Sequence, residues 1–133
     1  MPADPQLKQQ VEQMISENEV LLFMKGVPEA PRCGFSMRVI QILEAIGVEY
    51  GAVDVLSALQ PLREVTIELN DWPTFPQLYV KGELVGGCDI IEEMLDSGEL
   101  GPLLGVEQPE EEIPEAEKIL PGGTQVSPPM QLG

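Results

Sequence analysis

Lys25-Gly26-Val27-Pro28-Glu29-Ala30-Pro31-Arg32-Cys33-Gly34-Phe35-Ser36 joins two segments of different periodicity. Before it runs Val20-Leu21-Leu22-Phe23-Met24, an unbroken apolar run of the kind a strand shows when both faces of a parallel or mixed sheet are covered. After it, Phe35, Val39, Ile42, Leu43 and Ile46 fall on one face of a helix that starts at Gly34, and Gly47 suits the position just past its end. Two prolines and a glycine make 26–32 a loop. Cys33 therefore stands where a strand has ended and a helix begins. Ser36 occupies the place where a Cys-x-x-Cys redox pair would carry its second sulfur.

Working outward, 48–55 reads as a second strand, weakened by Gly51, and strand–helix–strand over this length implies a right-handed βαβ unit. Upstream, Leu7, Val11, Met14 and Ile15 give a helix over 4–18, with Asp4 as N-cap and Pro5 at its first position. Downstream, Pro61 is expected to open a helix through Leu69. Asn70-Asp71-Trp72-Pro73-Thr74-Phe75-Pro76 must be extended and turning, because each proline restricts its predecessor. Gln77 to Val80 and Glu83 to Val85 form a hairpin about Lys81-Gly82. Asp89 is expected to cap a short helix, Ile90 to Asp96, stopped by Gly98. The pattern is α/β.

Residues 105–133 differ: five prolines, six glutamates and no aromatic residue. Such a stretch cannot bury enough apolar surface to fold. The expected organisation is one domain over 1–104 and an acidic disordered tail over 105–133.

The whole chain of 133 residues carries a net charge of −16, which disfavours nucleic acid and anionic membranes as partners. No run of 18 apolar residues is present, and Met1-Pro2-Ala3-Asp4-Pro5-Gln6 has neither the basic nor the apolar part of a secretory signal. The expected location is the cytoplasm, where Cys33 and Cys88 would be reduced rather than paired. Residues 1–104 hold 17 acids and six bases, and three of those bases, Lys25, Arg32 and Arg38, lie within eight positions of Cys33. Cations and a helix start favour a thiolate, which is both the nucleophile and the metal-ligating form of cysteine. With Ser36 rather than a second cysteine, no local disulfide can close. Cys88 is either a distant resolving thiol or a half-buried structural residue.

Lys25-Gly26, Pro31-x-Cys33-Gly34-Phe35-Ser36, Trp72-Pro73-Thr74-Phe75-Pro76-Gln77-Leu78-Tyr79, Gly82-Glu83 and Gly86-Gly87-Cys88-Asp89 together resemble a monothiol, CGFS-type glutaredoxin over about residues 5–104. The resemblance implies a thioredoxin fold, a four-stranded mixed sheet flanked by helices, with a cis peptide before Pro76. It implies glutathione bound beside Cys33. Lys25 and Arg63 would meet the glycine carboxylate, Phe75 would pair through its backbone, Phe35 would line the groove, and Gly87, Cys88 and Asp89 would hold the γ-glutamyl end. It further implies a [2Fe–2S] cluster bridging a homodimer. Each copy supplies the Cys33 thiolate and one glutathione thiolate, which together make four sulfur ligands. A BolA-like protein as alternative partner and apo iron–sulfur proteins as recipients follow from the same resemblance.

The chain departs from the family pattern at Ile67, five residues before Trp72, where the family usually has a lysine that also contacts the glycine carboxylate. Two functions compete: a carrier of iron–sulfur clusters, and a glutathione-dependent monothiol oxidoreductase that deglutathionylates proteins. Residues 26–30 temper the second, since a longer loop here is associated in the family with glutathione held poorly for turnover.

Overall fold

The computed structural model describes residues 3–106; the acidic stretch expected to be disordered lies, from Glu107 onward, outside the described residues. The elements in order are α1 (Pro5–Glu17), β1 (Val20–Met24), β2 (Gly26–Val27), β3 (Ala30–Pro31), α2 (Gly34–Ile46), β4 (Gly51–Asp54), α3 (Leu59–Asn70), β5 (Gln77–Val80), β6 (Glu83–Gly86), α4 (Cys88–Ser97) and α5 (Leu100–Leu104). Among the described residues no helix is long and apolar enough to cross a membrane.

The main sheet has the order β4-β1-β5-β6. β1 runs parallel to β4 and antiparallel to β5, and β5 and β6 form the antiparallel hairpin. The unbroken apolar run of β1 is explained by this position, because every one of its residues is buried. Val20, Leu22 and Met24 pack with Val39, Ile42 and Leu43 of α2, Ile91 of α4, and Leu100 and Leu104 of α5. Leu21 and Phe23 pack the other way, with Val11 and Ile15 of α1 and Leu62 and Val65 of α3. Phe23 also meets Tyr79 edge to face, with ring centroids 5.5 Å apart. Burying each large apolar side chain stabilises the fold by about 1.5–3 kcal/mol, so the two cores flanking β1 dominate the energetics. A mixed four-stranded sheet with helices on both faces is the thioredoxin-like fold expected from the sequence.

Local chemistry sets most boundaries. The Asp4 carboxylate accepts the Gln6 N–H at 3.0 Å, capping α1 as expected. The β5–β6 turn places Lys81 and Gly82 both at positive φ, the conformation that matches the twist of a hairpin.

Several expectations need correction. The 26–32 loop contains the small ribbon β2–β3, closed by the Arg32 N–H donating to the Lys25 carbonyl at 2.9 Å. β4 is shorter than 48–55. α3 begins at Leu59 after a 3-10 turn, Leu56–Ala58, so Pro61 sits inside the first turn rather than opening it. That is tolerated because the first four N–H groups of a helix have no intrahelical acceptor. α4 begins at Cys88 with Gly87 as its N-cap, so Asp89 lies in the first turn and is not the cap. α5 was not anticipated; its two leucines at i and i+4 fill the core, and Gly105 and Val106 close it, the Val106 N–H donating to the Gly101 carbonyl at 3.0 Å. Gly105 and Val106 thus belong with α5.

Candidate functional site

Cys33 is the N-cap of α2, in an extended conformation, and its side chain makes no capping hydrogen bond. The amides of the first turn therefore keep free N–H groups, and the positive end of the helix dipole falls beside the half-buried sulfur. Ser36 is fully buried, and its Oγ accepts the Lys25 N–H at 3.1 Å. The serine tethers the end of β1 to the first turn of α2, a structural task for the residue that replaces the second redox sulfur.

Beside Cys33 lies a groove of about 620 Å³. It is walled by the ends of β1 and α2, the 72–76 segment, Arg63 of α3 and the start of α4. All eight residues singled out from the sequence line it: Lys25, Cys33, Phe35, Arg63, Phe75, Gly87, Cys88 and Asp89. Trp72, Thr74, Pro76 and Ile90 line it too and were not singled out as site residues, although the first three stand in a motif that was.

Side chains behind the groove hold its walls. The Phe75–Pro76 peptide is cis. Gln77, fully buried, donates from Nε2 to the carbonyls of Trp72 and Thr74, each at 3.0 Å. The Tyr79 hydroxyl donates to Gln77 Oε1 at 2.9 Å and accepts from Asn70 Nδ2 at 3.0 Å. Phe75 buries its ring in the core, so its main chain is what it can offer a ligand. At Gly87 a Cβ would sit 3.2 Å from the Pro76 carbonyl oxygen, so glycine lets the start of α4 approach the 72–76 segment closely.

The electrostatics differ from the sequence pattern. Of the three bases near Cys33 in sequence, only Lys25 lines the groove. Arg32 is exposed. Arg38 is buried and pairs with Glu92, Nε to Oε2 at 3.4 Å. The second cation of the groove is Arg63, whose Nε donates to the Pro73 carbonyl at 2.9 Å and whose Nη1 donates to Gln60 Oε1 at 3.0 Å. These bonds fix its guanidinium beside the 72–76 segment. Asp89 is exposed in the first turn of α4, so the groove has two cations and one carboxylate. Phe35 is 63% exposed, an apolar surface next to the sulfur. Ile67 is exposed on α3 and does not line the groove.

Cys88 contrasts with Cys33. It is buried, and its Sγ–H donates to Glu92 Oε2 at 3.4 Å. Burial and the carboxylates of Glu92 and Asp89 push its thiol up to about 12, against the pull of Arg38. A thiol so protonated is a poor resolving nucleophile, and both cysteines are free in the structure.

The family profile described as Glutaredoxin matches residues 20–85. A probable monothiol glutaredoxin, GrlA, of Legionella pneumophila is 57% identical over 84 residues, covering 63% of this chain and 93% of the relative. The chain belongs to the monothiol glutaredoxins. Monothiol glutaredoxin-S11 of Oryza sativa subsp. japonica is 51% identical over 98 residues; that match takes in 74% of this chain and spans only 20% of the rice protein. Among solved structures, a monomeric truncated mutant of Trypanosoma brucei 1-C-Grx1 superposes with a TM-score of 0.65 at 46% identity, covering 74% of this chain and 88% of that one. The similarity thus falls on the monothiol glutaredoxin unit, the part that carries the Cys33 groove.

Proposed function

We propose that the chain binds glutathione in the groove beside Cys33 and, with it, carries a [2Fe–2S] cluster between two copies of itself for delivery to apo iron–sulfur proteins. The observation that carries this reading is the convergence of Lys25, Arg63 and Asp89 with Cys33 on one groove. Glutathione has two carboxylates and one amine, so cations at one end and an acid with free helix amides at the other complement it. Lys25 and Arg63 would receive the glycine carboxylate, the Phe75 main chain the central residue, and Gly87, Cys88 and Asp89 the γ-glutamyl end.

The donor set fits a shared cargo. Among the described residues no group of three or more cysteine, histidine or acidic side chains could hold a metal ion. Burial and Glu92 hold the Cys88 thiol protonated, so Cys33 is the one cysteine each chain offers as a ligand. Four sulfur ligands then require two copies of Cys33 and two glutathione thiolates. Two of those ligands are exchangeable small molecules, which suits a cargo that must leave. A BolA-like protein replacing the second copy is a further part of this reading that rests on family membership.

Anaerobic reconstitution with iron, sulfide and glutathione tests it. The expected product is a coloured dimer with the visible absorption and circular dichroism of a [2Fe–2S] centre. A colourless monomer in the presence of glutathione, or a cluster indifferent to Cys33→Ser, would overturn it.

The half-buried position of Cys33 favours a second reading, monothiol oxidoreduction. Its thiolate would attack the glutathione sulfur of a protein mixed disulfide and release the protein thiolate. A second glutathione thiolate would then attack the Cys33–glutathione disulfide, giving oxidised glutathione and free Cys33. Substantial turnover in a glutathione mixed-disulfide assay would promote this reading.

A further inference from the structure

We propose that Glu92, held in place by Arg38, is a positioning residue that keeps the Cys88 thiol protonated, so that a groove lined by two cysteines offers one nucleophile. Cys88 and Glu92 are four residues apart on α4 and share a face. A single oxygen, Glu92 Oε2, lies 3.4 Å from Cys88 Sγ and 3.4 Å from Arg38 Nε. The carboxylate therefore stands between a buried cation on α2 and a buried thiol on α4.

The arrangement matters because of what Arg38 would do alone. Its side chain is 8% exposed, and its Nε and Nη1 have no hydrogen-bond partner. A guanidinium does not give up its proton in a protein, so a full positive charge is fixed inside the fold. Such a cation close to a cysteine favours the thiolate. Interposed, Glu92 takes the charge of Arg38 on the same oxygen that accepts the S–H, and the charged groups facing the thiol become Glu92 and Asp89 from α4 and Arg38 from α2. The neutral sulfur then packs into the apolar core with Ile91 and Leu22. Neither Arg38 nor Glu92 lines the groove, so both act through Cys88. The consequence rests on the reading of Cys33 as the working thiol: Cys88 would not compete with it for glutathione or iron. The charge arrangement itself does not depend on that reading.

The test uses the full chain carrying Cys33→Ser, in which Cys88 is the one remaining cysteine, and follows its alkylation by iodoacetamide at pH 9 by intact mass. Glu92→Gln should accelerate alkylation about tenfold, the effect of lowering the thiol by about one pKa unit. Glu93→Gln, on the exposed side of α4, should leave the rate unchanged. Arg38→Met, which removes the cation and keeps much of the buried volume, should slow alkylation or leave it unchanged. Equal acceleration in Glu92→Gln and Arg38→Met would mean that the pair merely holds two helices together, and would overturn the proposal, as would no change in Glu92→Gln. Should Arg38→Met fail to fold by circular dichroism, the pH profile of alkylation decides. A midpoint displaced downward in Glu92→Gln but not in Glu93→Gln supports the proposal, and an undisplaced midpoint with a raised plateau overturns it. No cluster is involved, so failure of reconstitution leaves this result readable.

Discussion

Cys33 and Cys88 both stand at the first residues of a helix, and both line the same groove, yet the fold gives them opposite chemistry. Cys33 is the cap itself, outside the first turn, half-buried, with no acid bonded to it. Cys88 is one residue further in, already helical, so its side chain turns back onto its own helix and into the core, where Glu92 takes its hydrogen. A displacement of one position at a helix start thus separates a thiol presented to a ligand from a thiol stored as a small apolar residue. A helix dipole alone does not make a cysteine reactive; burial and the nearest carboxylate decide whether it does.

The sharpest way to break this contrast is to exchange the roles. Cys33→Ser is expected to abolish cluster assembly, read from the visible absorbance after reconstitution, whereas Cys88→Ala should keep most of it. Loss of the cluster in both variants would show that the two thiols are not unequal. A smaller effect concerns the segment between them. Tyr79→Phe removes the hydroxyl that links Gln77 to Asn70, and leaving the buried Gln77 side chain short of a partner should cost about 1–3 kcal/mol in denaturant unfolding. Glutathione affinity should fall in parallel, because Gln77 holds the Trp72 and Thr74 carbonyls.

Smaller again is the ligand contact opposite Cys33. Arg63→Ala should weaken glutathione binding several-fold, on the order of 1 kcal/mol by calorimetry, with Lys25 remaining. An unchanged affinity would remove Arg63 from the carboxylate end of the groove. A separate signal is the pH dependence of stability. The Cys88 thiol is raised from 9.0 to about 12 in the folded state, so the unfolded chain releases its proton first as pH rises. The contribution is present in full below about pH 9 and is lost as pH climbs toward about 12. Thermal melting between those limits should decline less steeply in Cys88→Ala than in the parent.

Much of this was legible in the residues. Val20–Met24 announced a strand covered on both faces, and β1 is fully buried between two cores. α2 occupies the expected span from Gly34 to Ile46, because an apolar face and a closing glycine agree there. Seven of the eight candidate residues stand in the motifs that carry the family resemblance, Arg63 follows from that resemblance by position alone, and the fold brings all eight to one groove. What escaped were features without a local signature. Leu100 and Leu104 form too short a repeat to signal a helix, and only the core they fill explains α5. The extent of α3 escaped because Pro61 looks like a first residue but is tolerated anywhere in the first turn.

The sequence by itself determined the order of the four main strands and the helices α1 to α4, the position of Cys33 at a helix start and the absence of a second sulfur at Ser36. Those follow from periodicity, caps and residue identity, which are local properties. Tertiary structure alone decided which charges reach that sulfur. Lys25, Arg32 and Arg38 cluster in the chain, but their side chains leave the backbone in different directions. Lys25 meets the groove, Arg32 faces solvent, Arg38 turns inward to Glu92, and Arg63 arrives from another helix. Electrostatic interaction depends on distance through the folded molecule and on burial, and neither can be counted along the sequence.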